Sequence, residues 1–175
     1  MATSRFDKGY MAFQSATGAY FSLSSGDSDE STLNYTLSTY RLGVMLFDAG
    51  GASWWHGNTQ LLVEGFFGTV LDGPGDYLGG ANLALRYNFV PFDTNWTPYV
   101  QAAAGGFYSD IHPQDKPGNS WDLNLQASVG VRYLLTERWS LSLEGGYQRV
   151  ASLSISSRNQ GLHSLGAQIG CSRFF

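Results

Sequence analysis

The amino-acid sequence predicts an all-β protein, an eight-stranded antiparallel up-and-down transmembrane β-barrel. Three features predict it. Eight strand-like segments of about 12–15 residues run along the chain, and several alternate apolar and polar side chains with period two. The connections between them alternate between polar loops and compact turns. The last segment ends on Phe174-Phe175, and a final strand ending on an aromatic residue is what bacterial outer-membrane barrels present to their assembly machinery.

The elements follow in order. Tyr10–Leu23 runs into the polar loop 24–33, and Asn34–Phe47 ends at the compact turn 48–53. Gln60–Leu71 leads to the polar segment 72–76, and Tyr77–Val90 to the turn 91–96. Thr97–Tyr108 precedes the long loop 109–120, and Trp121–Leu135 the turn 136–138. Trp139–Leu153 and Leu162–Phe175 flank the Ser-rich loop 154–161. The alternation is clearest in two of them. Trp121, Leu123, Leu125, Ala127, Val129, Val131 and Tyr133 share one face, against Asp122, Asn124, Gln126, Ser128, Gly130 and Arg132. Likewise Ala81, Leu83, Leu85, Tyr87 and Phe89 oppose Asn82, Ala84, Arg86 and Asn88.

Such strands exceed the ~9–11 residues that cross a bilayer at a tilt and the ~5–6 typical of soluble proteins. An even strand number with long loops at one end and short turns at the other is the outer-membrane pattern. Aromatic residues collect at both ends of the strands. Trp54, Trp55, Tyr87, Phe89, Trp96, Tyr99, Tyr133, Trp139, Phe174 and Phe175 lie toward the short turns. Tyr20, Phe21, Tyr35, Phe67, Tyr77, Phe107, Tyr108, Trp121 and Tyr147 lie toward the long loops. They are expected to form two interfacial girdles.

Eight strands enclose room only for side chains. The polar set Arg41, Glu64, Arg86, Gln101, Asp122, Gln126, Arg132 and Glu144 is expected to fill the interior as a plug. In a lipocalin-like alternative this set would face water, and the apolar set would line a small-ligand site. A binder acting through its outer loops is a related alternative.

Composition sets further limits. At 175 residues the chain is read as a single domain, 1–175. The net charge of -4 and pI near 5.2 argue against nucleic acid. Cys171 is the sole cysteine, so an internal disulfide is impossible. It is assigned to the lipid-facing wall. No run of ~18 apolar residues suggests a transmembrane helix. The chain does not open with a basic region followed by an apolar run, so no signal peptide is visible. Met1 is read as the start of a mature or engineered chain. His56, beside Trp54-Trp55, is assigned to the interface and His112 to a loop. The acidic run Asp27-Ser28-Asp29-Glu30 could hold a divalent cation loosely or be solvated charge. No spacing suggests a transition-metal site, and no cofactor is expected.

A family resemblance emerges from Leu85 onward. Its elements are Leu85-Arg86-Tyr87-Asn88-Phe89, Pro98-Tyr99-Val100-Gln101-Ala102 with Gly105-Gly106, and Val129-Gly130-Val131-Arg132-Tyr133. Trp139-Ser140-Leu141-Ser142-Leu143-Glu144 and Ser157-Arg158-Asn159-Gln160-Gly161-Leu162-His163-Ser164 follow. In order and spacing these resemble the PagL-type lipid A 3-O-deacylases (acyloxyacyl hydrolase-like), over roughly half the chain. The resemblance implies an eight-stranded outer-membrane barrel that removes an acyl chain from lipopolysaccharide. It also implies a seventh-strand signature, His-x-Ser-Asn, followed by Asn-x-Gly and an orienting residue two positions later. Anchored on Tyr147-Gln148 and Asn159-Gln160-Gly161, the family's base falls at Arg149 and its nucleophile at Ala151. The asparagine falls at Ser152 and the orienting residue at His163.

Arg149 cannot accept a proton near neutral pH, and Ala151 has no nucleophilic atom. The implied scaffold is retained while its chemistry is erased. Arg149, Ala151, Leu141, Leu143 and Tyr147 share the outward face. An outward arginine costs ~2–4 kcal/mol at the bilayer centre and ~0–1 near the interface. Toward the long loops Arg149 can snorkel. There it is either a contact for a lipid phosphate or a solvated interfacial charge. A rearranged site could use Ser152 or Ser154, from a run continuing through Ser156 and Ser157, with His163. The leading expectation is a non-catalytic outer-membrane barrel with a structural, lipopolysaccharide-contacting or partner-docking role. The alternatives are an active lipid A deacylase or esterase and a small-ligand barrel. Outer-membrane lipid, lipopolysaccharide and a protein in the same membrane are the expected partners.

Overall fold

The computed structural model describes residues 3–23, 33–51, 53–73, 75–91, 94–110, 121–152 and 162–175. It closes eight strands into one barrel in which each strand pairs antiparallel with its sequence neighbours and the last pairs with the first. The strands are β1 (Met11–Ser22), β2 (Asn34–Met45), β3 (Gly57–Asp72), β4 (Tyr77–Phe89), β5 (Trp96–Ser109), β6 (Trp121–Leu134), β7 (Trp139–Ser152) and β8 (Leu162–Phe174). All eight expected strands are present. Most ends shift by one or two residues, and β3 begins earlier than expected, at Gly57. Gly57 belongs to that strand because it pairs with Phe89 of β4, and it also bridges to Gly50.

Closure depends on the two ends of the chain. Met11 N–H donates to the Phe175 carbonyl at 3.1 Å, and Phe175 N–H donates to the Met11 carbonyl at 3.0 Å. Hence no strand edge is left unpaired, which a bilayer requires because lipid cannot satisfy backbone groups.

Strand alternation sorts the side chains as the sequence demands. The wall presents Leu83, Leu85, Val100, Leu125, Val129, Leu141, Leu143, Leu165 and Ile169, all exposed. The lumen takes the polar set. Arg41, Glu64 and Glu144 are 2%, 1% and 4% exposed, and Arg86 and Arg132 are equally buried. Polar inside and apolar outside is the inverse of a soluble ligand-binding barrel, so the lipocalin-like alternative is set aside.

The lumen is layered. At mid-height Arg41 donates from Nε to Glu64 Oε2 at 2.5 Å. Its two terminal nitrogens donate to the two oxygens of Glu144 at 2.8 and 2.9 Å. The Tyr99 hydroxyl donates to Glu144 Oε2 at 2.8 Å, and Asn82 Nδ2 to Glu64 Oε1 at 2.7 Å. Arg86 donates to Gln101 and Gln14. Toward the long-loop end Tyr20, Leu33, Tyr35, Leu37, Phe66, Leu78, Phe107 and Val150 form an apolar cap. Toward the short turns Phe6, Ala12, Met45, Val90, Leu134 and Phe174 form another. Phe6 arrives on a 3₁₀ turn, Thr3–Phe6, and meets Phe174 edge-on at 5.8 Å. The Asn58 amide donates to the Phe6 carbonyl from inside the barrel.

The packing of the lumen corrects the girdle assignment for five residues. Tyr20, Tyr35, Tyr99, Phe107 and Phe174 are all buried in the lumen. Strand parity explains it: Tyr35 shares its face with Arg41, and Tyr99 and Phe107 share theirs with Gln101. The girdle toward the short turns is made by exposed Trp54, Trp55, Trp96, Trp139 and Phe175, with Trp55 stacked on Phe89. Toward the long loops Phe21, Phe67 and Tyr77 are exposed. The Trp121 side chain lies outside the described residues.

Among the described residues a salt-bridged layer lies between two apolar clusters inside the barrel, the arrangement of a plug and not of a channel. In a planar bilayer the purified barrel is expected to pass no steady ion current. Stepwise openings that persist after Phe6→Ala would contradict a sealed lumen, and openings that appear only in Phe6→Ala would locate the seal at that ring.

Candidate surface site on the bilayer-facing wall

The site is built by the register of five strands. Leu83 pairs with Ala104, Ala104 with Leu125, Leu125 with Arg149, and Arg149 with His163. One row nearer the short turns, Leu85 pairs with Ala102, Ala102 with Ala127, Ala127 with Tyr147, and Tyr147 with Leu165. Both rows face outward because every member has the outward parity of its strand.

Side-chain size then shapes the wall. Alanines at 102, 104 and 127 lie between taller Leu83 and Leu85 on one side and Leu125, Tyr147 and Arg149 on the other. The result is an apolar groove of about 700 Å³, open to the bilayer. A second hollow of about 670 Å³ continues past Ala127 and Tyr147 over Gly145, toward Val129 and Leu165. A methyl group at Gly145 would meet no atom within 4 Å, so the floor there is open because the side chain is missing.

The rim carries the polar groups. Arg149 lies three residues from the end of β7, at the long-loop end of the groove. Tyr147 and His163 are hydrogen-bonded through the phenol oxygen and Nδ1, with ring centroids 5.9 Å apart. The hydrogen-bonded Tyr147–His163 pair and Arg149, which pairs with His163 in the β7–β8 ladder, therefore lie on the same stretch of the outward wall, beside an apolar trough. This set can hold an anionic group by charge and hydrogen bonding.

The residues marked by the family signature fall as follows. Arg149 and His163 are brought directly opposite each other. Ala151 is half-buried on the same outward face, paired with Leu123. Ser152 pairs with Asp122, and its side chain lies outside the described residues. Ser154, Ser156, Ser157, His112 and the acidic run Asp27-Ser28-Asp29-Glu30 also lie outside them. His56 is half-buried at the short-turn end, its Nδ1 2.8 Å from the Val90 carbonyl. Cys171 is half-buried on the outward wall, opposite Leu141. Among the described residues no three His, Cys, Asp or Glu side chains are grouped to hold a metal ion.

Sequence reasoning missed the groove and the Tyr147–His163 contact. The signal for the groove was present: Ala102 and Ala104 are small residues at successive outward positions of one strand, beside Ala127 on the next.

No protein-family model matches the chain, and no curated protein matches it by sequence. Solved structures do match in fold. Neisserial surface protein A aligns over 95% of this chain and 97% of its own, with a TM-score of 0.68 and 15% identity. The N-terminal β-barrel domain of Pseudomonas aeruginosa OprF aligns over 96% and 98%, with a TM-score of 0.60 and 14% identity. The outer membrane protein OprG from Pseudomonas aeruginosa aligns over 97% and 97%, with a TM-score of 0.54 and 16% identity. The outer membrane enzyme PagL is one of several more distant matches, with a TM-score of 0.49 and 15% identity over 91% of this chain and 97% of its own. The chain thus has the closed eight-stranded antiparallel architecture of integral outer-membrane barrels.

Proposed function

We propose that the protein is a non-catalytic outer-membrane barrel whose wall holds an anionic glycolipid of the lipopolysaccharide type. The groove with Arg149 at its rim carries this reading. An acyl chain would lie among Leu83, Leu85, Ala102, Ala104, Leu125 and Ala127. Arg149 would pair with a headgroup phosphate, aided by the Tyr147–His163 pair. At this height a guanidinium can reach the headgroup zone at little cost.

The sequence resemblance to lipid A deacylases supports the same ligand class, while Ala151 and Arg149 stand where that family places its nucleophile and base. His163 already engages Tyr147 through Nδ1, so a rearranged serine–histidine site would have to displace that contact or work through Nε2.

Two measurements test the proposal. Lipid A incubated with the detergent-purified barrel is expected to keep its mass, under conditions where an active deacylase removes a chain. Loss of one acyl chain, abolished by His163→Ala, would replace this reading with the esterase. Arg149→Glu is expected to weaken lipid A retention in native mass spectrometry by about tenfold, the scale of one charge-assisted pair. Ala104→Phe, which fills the groove, should also weaken it. Unchanged retention in both variants would rule the site out.

A further inference from the structure

Arg132 is, among the described residues, the buried charge without a counter-ion. Among the described residues it makes no ion pair, whereas Arg41 bridges Glu64 and Glu144, and Arg86 lies 3.7 Å from Glu144. Its hydrogen bond to Asn88, from Nη1 to Oδ1, is long at 3.4 Å. Aromatic rings flank it, with Cζ 5.7 Å from the Tyr99 centroid and 5.3 Å from that of Phe174. Arg86 stacks on the same Tyr99 ring at 4.2 Å. Arg132 Nε and Arg86 Nη1 are both buried donors without an acceptor.

Among the described residues Gln60 Oε1, opposite Arg86 in the ladder, and the Ser140 and Ser172 hydroxyls are buried without a partner, but they are neutral and supply no countercharge. The charged and amide acceptors around the two arginines are already engaged. Glu144 takes Arg41 and Tyr99, Gln101 and Gln14 take Arg86, and Asn88 takes Arg132 itself. The remaining inward carboxylate, Asp122, stands at the opposite end of β6. Two guanidiniums sharing one ring in a dry lumen repel each other strongly unless negative charge lies near. Ring faces offset only part of that cost.

We propose that the barrel interior binds a small monovalent anion of the chloride class, held by Arg132 Nε and Arg86 Nη1 beside Tyr99. The apolar caps exclude larger anions and make the ion a resident of the folded lumen, captured as the barrel closes. It offsets the one positive charge by which the buried arginines Arg41, Arg86 and Arg132 exceed the buried glutamates Glu64 and Glu144 among the described residues.

The test is to refold the barrel in bromide, crystallise it and collect anomalous data at the bromine edge. A single peak within hydrogen-bonding distance of Arg132 Nε is the expected result. Absence of a peak there, with Arg132 Nε bonded only to water, would overturn the proposal. A solution measurement stands beside it. The wild-type barrel should unfold at a higher temperature in chloride than in gluconate, and Arg132→Gln should lose that difference. A chloride effect of equal size in the variant would also overturn the assignment.

Discussion

Arg41→Met is expected to destabilise the barrel by about 3–5 kcal/mol, the cost of removing one partner from a buried ion pair. Methionine keeps the apolar stem of arginine as far as the Nε position, so the loss is chiefly of charge and hydrogen bonding. Arg41 supplies three short hydrogen bonds to two carboxylates from opposite parts of the barrel. Without it Glu64 retains Asn82 and Glu144 retains Tyr99, but neither has an adjoining cation at hydrogen-bonding distance. The midpoint of urea unfolding in detergent, followed by the gel shift between folded and unfolded barrel, reads the effect. Adding Glu64→Gln should recover part of the loss, because one of the stranded charges is then gone. A loss below about 1 kcal/mol would mean that the lumen is wet enough to solvate these groups, since exposed pairs contribute on that scale.

Gly130→Ala is the second large effect, and it needs only one methyl group. Gly130 lies opposite Tyr99 in the β5–β6 ladder. A Cβ built there would come within 2.4 Å of Tyr99 Cζ and 2.6 Å of its hydroxyl oxygen. The ring must therefore move, and its hydroxyl bond to Glu144 and its stacking on Arg86 move with it. Overpacking costs ~1–3 kcal/mol, and a hydrogen bond to a charged group contributes ~1.5–3, so a loss of about 3 kcal/mol is expected. Gly65→Ala is the control: a methyl group there meets nothing within 4 Å, and the change should stay within about 0.5 kcal/mol. Equal effects in the two variants would show that strand propensity, not the Tyr99 contact, sets the cost.

Much of the fold was legible because period-two alternation is a local property. Asn82, Arg86 and Asn88 against Leu83, Leu85 and Tyr87 specify both the strand and its inward face before any partner is known. The terminal aromatic pair was half legible. Phe175 does lie on the outer surface, whereas Phe174 turns inward onto Phe6. That contact depends on a 3₁₀ turn whose four residues carry no periodic signal. The girdle reading failed at Tyr20, Tyr35 and Phe107 because position along a strand was weighed above parity. The candidate site was legible only in its parts. Arg149 and His163 were singled out from a sequence signature, but their pairing needs the β7–β8 register. The groove needs the registers of β4 through β7 together.

The mid-height cluster also has a mechanical side. Glu144 on β7 holds Arg41 on β2 and Tyr99 on β5, while Arg41 reaches Glu64 on β3. Gln14 on β1 accepts from Arg86 on β4. Arg41–Glu64 joins neighbouring strands, but the ties from Glu144 to Arg41 and from Arg86 to Gln14 cross the tube instead of following its circumference, so they act as spokes. A cylinder with spokes resists being squeezed into an ellipse when lateral pressure in the membrane changes. The rows of alanine and leucine on its outer surface would then keep their curvature under load, and a lipid chain lying on them would meet the same contour in a thick or a thin bilayer.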